Sequence, residues 1–297
     1  MKVLVTGANG LLGQHLVKQL LENNYHVIAT SRGDSRFPFE STPQFTYYSM
    51  DITNPFQLHE VMSKEKPEVV IHAAAMTQVD DCEKNPSVCE RVNVQGTSQV
   101  LTDAEIYSNQ FIYISTDFVF DGETGNYTED DELKPINLYG FTKMQAEAIV
   151  QTSEIPWAIV RTCLVYGNVL TGTRSNIITW VKESLEQGKE IKVVSDQWRT
   201  PTLVDDLAKG ILLIIQKRAQ GIFHLSGKDF LTPYDMALHT AGLFKLDKSR
   251  IEKVDAATFK QPGRRPLKTG FVIEKARREL GYEPISFEDG VKKLFPL

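Results

Sequence analysis

The chain has 297 residues, with 33 Lys and Arg against 38 Asp and Glu for a formal net charge of -5, and 41% of it is hydrophobic. This is the composition of a soluble globular protein with one large core or two joined lobes, and its negative balance gives no basic footprint for a nucleic acid. Cys82, Cys89 and Cys163 lack paired metal-ligand spacing, so reduced thiols and no metal site are expected.

No apolar run approaches the ~20 residues needed to cross a bilayer, so no membrane partner is expected. A lone Lys2 leads directly into a strand pattern rather than a signal peptide, and a cytoplasmic location follows as an expectation.

Lys2 to Thr6 reads as a short β-branched strand running into Gly7-Ala-Asn-Gly10-Leu-Leu-Gly13 and an amphipathic stretch from Leu11 to Leu21. Strand, glycine turn and helix in that order suit a dinucleotide: backbone N–H groups and a helix N-terminus must approach a pyrophosphate closely, and side chains would block them. Gly7, Asn9, Gly10, Leu11, Leu12 and Gly13 are the expected cofactor residues of this turn. The spacing is Gly-x-x-Gly-x-x-Gly rather than the commoner Gly-x-Gly-x-x-Gly.

A second strand, Tyr25 to Thr30, ends in Thr30-Ser31-Arg32. An acidic residue at this point would bind the ribose 2′-hydroxyl of NAD. With Arg32 and Arg36 there instead, NADP(H) is favoured over NAD(H). A third strand, Phe45 to Ser49, is followed by Asp51-Ile52, placed to meet the adenine edge. A fourth, Glu68 to His72, precedes Ala73-Ala74-Ala75, whose small side chains let a flat cofactor lie against backbone.

Pro86 to Tyr107 is helical in pattern, with Asn93 a polar residue on its core-facing side. A fifth strand, Phe111 to Ser115, carries Ser115, Thr116 and Asp117 at its carboxyl end, where parallel sheets bind ligands. An acidic, Gly-containing loop, Asp121 to Asp131, leads to Tyr139-Gly-Phe-Thr-Lys143. In a helix those two side chains share one face. A free phenol titrates near pKa ~10, and a fixed cation beside it lowers that value, so the pair could exchange a proton with a carbonyl or alcohol.

A sixth strand, Trp157 to Arg161, completes this region. After Tyr166-Gly167 the pattern continues with a helix near Asn176 to Glu186, a strand at Ile191 to Val194, the segment Asp196-Gln-Trp198-Arg199-Thr-Pro-Thr202, a core helix over Val204 to Gln216, a strand over Gly221 to Leu225, and a last helix from Phe287 to Phe295. There is no repeat or flexible linker. The expected fold is an α/β, Rossmann-type doubly wound parallel sheet over 1–165 with a returning segment 203–226. Residues 166–202 and 227–297 would form a smaller, interleaved substrate lobe.

Four segments, Thr-Gly-Ala-Asn-Gly-Leu-Leu-Gly (6–13), Ser-Thr-Asp-Phe-Val-Phe-Asp-Gly (115–122), Tyr-Gly-Phe-Thr-Lys (139–143) and Arg-Thr-Cys-Leu-Val-Tyr-Gly (161–167), together resemble the extended short-chain dehydrogenase/reductases, and within them the dTDP-4-dehydrorhamnose reductase group. The resemblance runs over essentially the whole chain. It implies that Tyr139 is the proton donor, that Lys143 holds the nicotinamide ribose and lowers the tyrosine pKa, and that Thr116 hydrogen-bonds the carbonyl oxygen. Leu164 stands where the group commonly has an aromatic residue, and Trp198-Arg199 also depart from its pattern. These two positions, with Thr77, Val79, Asp117 and Leu164, are the expected substrate contacts.

The function implied is NADPH-dependent reduction of a 4-keto-6-deoxy nucleotide sugar, with a homodimer compatible but not specified. Two alternatives stay open. One is an epimerase or dehydratase of nucleotide sugars on the same fold. The other is a non-catalytic NADP-binding regulatory subunit, similar to the β-subunit of methionine adenosyltransferase.

Overall fold

A computed structural model describes residues 1–38, 42–171 and 176–295. Its centre is a seven-stranded sheet, all of whose pairings are parallel. The strands are β1 (Lys2–Thr6), β2 (His26–Ser31), β3 (Phe45–Ser49), β4 (Val69–His72), β5 (Gln110–Thr116), β6 (Trp157–Thr162) and β10 (Gly221–His224), in the order β10-β6-β5-β4-β1-β2-β3. Buried residues such as Val3, Val5, Ile71 and Ile112 fill a core on one face, and Leu4, Val70, Phe111 and Tyr113 fill one on the other. Burial on both faces explains why these strands read as continuous apolar runs rather than alternating ones. The strand order reverses between β1 and β4, and in such sheets the crevice at the carboxyl ends beside the reversal is where ligands bind.

Helices cover both faces: α1 (Leu11–Glu22), α2 (Pro55–Glu65), α3 (Val79–Lys84), α4 (Pro86–Glu90), α5 (Gly96–Tyr107), α6 (Leu138–Gln151), α7 (Ile177–Glu186), α8 (Val204–Lys217), α9 (Pro233–Leu243), α10 (Glu274–Leu280) and α11 (Phe287–Leu294). The helical stretch expected from Pro86 to Tyr107 is present but not uniform, since Arg91–Gln95 forms a π-helical turn between α4 and α5.

Four helices that apolar periodicity did not announce start on polar or proline signals or are very short. Asn54 accepts from the N–H groups of Phe56 and Gln57 to cap α2, and Thr232 caps α9 in a reciprocal pair with Asp235. Pro55 and Pro233 occupy first-turn positions, where a missing N–H costs nothing. The other two, α3 and α10, run six and seven residues, too short to show a period.

The returning segment joins the first lobe directly: β10 pairs with β6 and α8 packs on α1. A second, smaller body is built from α7, α9 and the two-stranded pair of β8 (Ile191–Val194) with β11 (Ile251–Val254), around Val181, Val193, Ala237 and Ile251. A short pair of β7 (Val165–Tyr166) with β9 (Thr202–Leu203) joins it to the sheet. Among the described residues no helix is long and apolar enough to cross a membrane.

Candidate active site

A cleft of about 610 Å³ opens along the carboxyl ends of the sheet, within the ~300–1,000 Å³ of small-molecule sites. One end is formed by the glycine turn. Gly7 has φ of +69°, and a Cβ there would lie 2.8 Å from the backbone nitrogen of Ala74, so only glycine lets the turn sit against β4. Gly10 caps α1 without a side-chain hydrogen bond, which leaves the first-turn N–H groups of α1 directed at the cleft. Gly7, Gly10, Leu11, Leu12, Gly13, Arg32, Asp51, Ile52 and Ala73 to Ala75 all line it.

Asn9 does not. Its amide donates to the carbonyl of Asp34 and the hydroxyl of Tyr47, both at 2.9 Å, and its oxygen accepts from the N–H of Arg36. It shapes the loop after β2 that carries Arg32. Asn93 also differs from expectation: it is buried, bonds both the N–H and the carbonyl of Met76, and donates to Thr142 at 3.0 Å. Such a clamp ties the π-helical turn to the loop after β4, where Val92 rather than Asn93 faces the cleft.

The other end gathers Thr116, Tyr139 and Lys143. Asn137 caps α6 through the N–H of Gly140 at 2.8 Å, which fixes Tyr139 in the first turn. Phe118 meets the Tyr139 ring edge-on at 6.1 Å. Lys143, one turn on, donates to the carbonyl of Ile114 at 2.7 Å and stands 4.0 Å from the centre of the Tyr113 ring.

The electrostatics differ from the sequence expectation. Burial pushes the Tyr139 phenol up, with the Thr116 hydroxyl acting the other way. Burial also brings Lys143 down to about 7, against the attraction of Glu147. Desolvation outweighs the cation because Lys143 itself is buried and turned toward Ile114. Tyr139 thus holds its proton firmly, which is the state a donor needs.

Thr77, Val79, Asp117, Leu164 and Arg199 also line the cleft, whereas Trp198 does not; its ring lies 5.2 Å from Phe230. Leu164 has φ of +39°, a conformation L side chains rarely adopt and one found at ligand clamps. Arg199 is 5% exposed and its guanidinium donates to the carbonyls of Trp198, Leu267 and Pro266. Those bonds occupy three of its five N–H donors, so the expected substrate contact would compete with them. Asp117 is equally committed, accepting from Thr116, Cys163 and Thr269, with Arg199 Nε at 3.8 Å; burial raises its pKa and Arg199 opposes that.

Sequence reading missed Thr162 and Arg265 as cleft residues. Arg265 is held by Asp80 in a two-point pair of 2.6 and 2.8 Å, and this fork brings Asp80 down to about 2. The signal available was Arg-Arg-Pro at 264–266, which does not say which arginine turns inward.

Compared with known proteins, the family described as RmlD substrate binding domain matches residues 1–296. The chain belongs to that family. It is 31% identical to a protein of Haloferax volcanii named probable low-salt glycan biosynthesis reductase Agl14, over 99% of this chain and 97% of that one. It is also 30% identical to the methionine adenosyltransferase 2 subunit beta of Bos taurus, over 85% of this chain and 75% of that one.

Among solved structures it resembles a dTDP-4-dehydrorhamnose reductase of Clostridium acetobutylicum, with a TM-score of 0.88 and 31% identity over 100% of this chain and 99% of that one. A dTDP-4-dehydrorhamnose reductase of Bacillus anthracis, solved in complex with NADP, gives 0.86 and 28%, over 99% and 98%.

Proposed function

We propose that the chain is an NADPH-dependent reductase of a 4-keto-6-deoxy nucleotide sugar. The observation that carries this is the convergence of Thr116, Tyr139 and Lys143 at one end of a cleft whose other end is the Gly7–Gly13 turn. The residues present fit a dinucleotide: the Gly7 cradle would be filled by a Cβ, and the uncapped first turn of α1 offers N–H groups to a diphosphate. Arg32 beyond β2 matches a 2′-phosphate, Asp51 and Ile52 the adenine edge, and Ala73 to Ala75 a flat sugar and ring.

When bound, reduced nicotinamide would supply the hydride. Lys143 would hold the adjoining ribose hydroxyls, and Tyr139 would protonate the oxygen of the reduced carbonyl as negative charge develops there. Thr116 would hydrogen-bond the same oxygen on releasing Asp117. Thr77, Val79 and Leu164 would bound the sugar, and Arg265, fixed by Asp80, would place a cation for the anionic end of the nucleotide.

The test is loss of reduced-nicotinamide absorbance against a panel of 4-keto-6-deoxy nucleotide sugars; consumption of NADPH with at least one of them is expected. A second reading, a non-catalytic NADP-binding subunit, is favoured by the 30% identity to the methionine adenosyltransferase 2 subunit beta. NADPH binding without consumption across the panel would select it. An epimerase or dehydratase would change the sugar with no net consumption, and the lack of a carboxylate at Thr30-Ser31-Arg32 weighs against its tightly held NAD.

A further inference from the structure

Asn137, the cap of α6, is 7% exposed and uses both ends of its amide. The oxygen accepts from the Gly140 N–H at 2.8 Å, and the nitrogen donates to the Arg264 carbonyl, also at 2.8 Å. A carbonyl can only accept and a backbone N–H only donate, so the amide has one orientation. Arg264 is followed by Arg265, the cation on the cleft wall. The same stretch of chain rests on α3. The Gly263 N–H donates to Asp80 at 3.0 Å, beside the two-point pair of Asp80 with Arg265. A Cβ at Gly263 would lie 2.4 Å from Val79 Cγ1, so the contact leaves no room for a side chain. Farther along α3, Glu83 accepts from the Leu138 N–H at 2.9 Å, a first-turn donor that α6 itself leaves free. Asn137, residues 263–265 and α3 thus close a ring of hydrogen bonds that carries both Tyr139 and Arg265.

We infer that Asn137 is a positioning residue that fixes the span between Tyr139 and Arg265, so that a substrate anchored by its anionic end presents its carbonyl to the phenol. This rests on the roles proposed above for those two residues. Any good cap would start α6, and Asp or Ser caps as well as Asn does. What Asn adds is a donor at the far end of the side chain: Asp has none, and Ser is one bond shorter. Without that donor Arg265 would still be held by Asp80, and Tyr139 by the capped turn of α6. The direct bond between their two segments, far apart in the chain, would be gone. A reacting atom misplaced by ~1 Å can cost about 10²-fold in rate, so the effect belongs to turnover rather than to binding.

The experiment compares Asn137→Ser and Asn137→Asp with the wild type. It measures NADPH turnover on the dTDP-linked 4-keto-6-deoxy sugars of the panel above, titrates NADPH and dTDP separately, and records melting temperatures. Both variants keep the cap and lose the donor to Arg264. Each should lower kcat about 10–100-fold and leave both dissociation constants as in the wild type. The melting temperature should fall by no more than about 2–4 °C, the worth of one hydrogen bond in a chain of this size. Wild-type kcat in either variant would overturn the inference, since a retained cap would then be all that matters. A fall in kcat matched by weaker binding of either ligand would also overturn it, as general disruption. A wild type that reduces a sugar yet does not bind dTDP would remove the anchor and overturn the inference alone. A wild type that consumes no NADPH with any sugar would overturn both this inference and the functional reading beneath it.

Discussion

Tyr139 keeps its proton because burial raises its pKa, while Lys143, four residues later, is brought down to about 7 by the same desolvation. A buried phenol that is reluctant to ionise is well suited to donate to an alkoxide and poorly suited to act as a standing base. Tyr139→Phe should therefore lower turnover by about 10²–10⁴-fold, the range for one positioned acid–base group, while NADPH affinity stays nearly constant. Single-turnover rates and cofactor titration on one preparation check both halves, and full activity would remove Tyr139 from the chemistry. Arg32 is exposed at the rim of the cleft, so its worth depends on a charge-assisted contact of roughly 1.5–3 kcal/mol. Arg32→Asp should weaken NADPH and strengthen NADH, read as the ratio of their dissociation constants; an unchanged ratio would make Arg32 a surface cation.

Between elements, the segment 196–202 fastens the lobes. Arg199 bonds the carbonyls of Pro266 and Leu267, Thr202 donates to the carbonyl of Cys163 at 2.6 Å, and Thr269 donates to Asp117 at the end of β5. The segment 266–269 is thereby pinned to the strand that carries Thr116. Arg199→Ala would strip the Pro266 carbonyl of its donor, leave the Leu267 carbonyl to the Trp198 N–H alone, and leave Asp117 buried without its nearest cation. A stability loss of about 2–4 kcal/mol is expected from charged hydrogen bonds and a broken buried pair. Denaturant unfolding measures it, and the sequence-based expectation of a substrate contact makes the competing forecast: a raised KM for the sugar at unaltered stability.

Over the whole molecule, buried bases held neutral set the acid limit. His72 illustrates the geometry. Thr97 donates to the Asn93 carbonyl and so accepts from His72 Nε2, while Thr6 accepts from the N–H groups of Ala73 and Ala74 and so donates to His72 Nδ1. A second ring proton has nowhere to go, and burial, with Lys143 nearby, lowers its pKa to about 3.

Below the usual histidine value the unfolded chain binds a proton that the native one refuses. Its contribution is therefore complete above 6.5 and is lost as pH falls from 6.5 toward about 3, with a slope approaching ~1.4 kcal/mol per pH unit. Burial lowers His224 in the same direction. Asp80, depressed from 3.8 to about 2, extends the loss to lower pH, whereas Asp117 and Asp206, raised by burial, act with opposite sign. Unfolding free energy should fall between pH 6.5 and 4, and His72→Gln should flatten that slope; identical slopes would show that His72 does not contribute.

The sequence by itself determined the sheet, because strands buried on both faces must be apolar throughout, and it determined the glycine turn, because only a residue without Cβ can sit against Ala73–Ala74. Tyr139 and Lys143 were legible from a helical spacing that needs no tertiary information. It did not reveal α2 or α9, whose starts rest on Asn54-Pro55 and Thr232-Pro233 rather than on a long apolar period.

Nor could it settle which polar residues had spare hydrogen bonds. Asn9, Asn93 and Arg199 carry the right groups for a ligand, yet spend them on Asp34, Met76 and Pro266. Thr162 stood inside a segment singled out for its resemblance, yet only the structure brings that residue to the cleft wall. Even the sign of the Tyr139 shift was decided in three dimensions, since one-turn spacing gives the distance to a cation but not the depth at which both groups are buried. Local spacing follows from backbone geometry; desolvation and hydrogen-bond partners come from residues distant in the chain, and only packing brings those together.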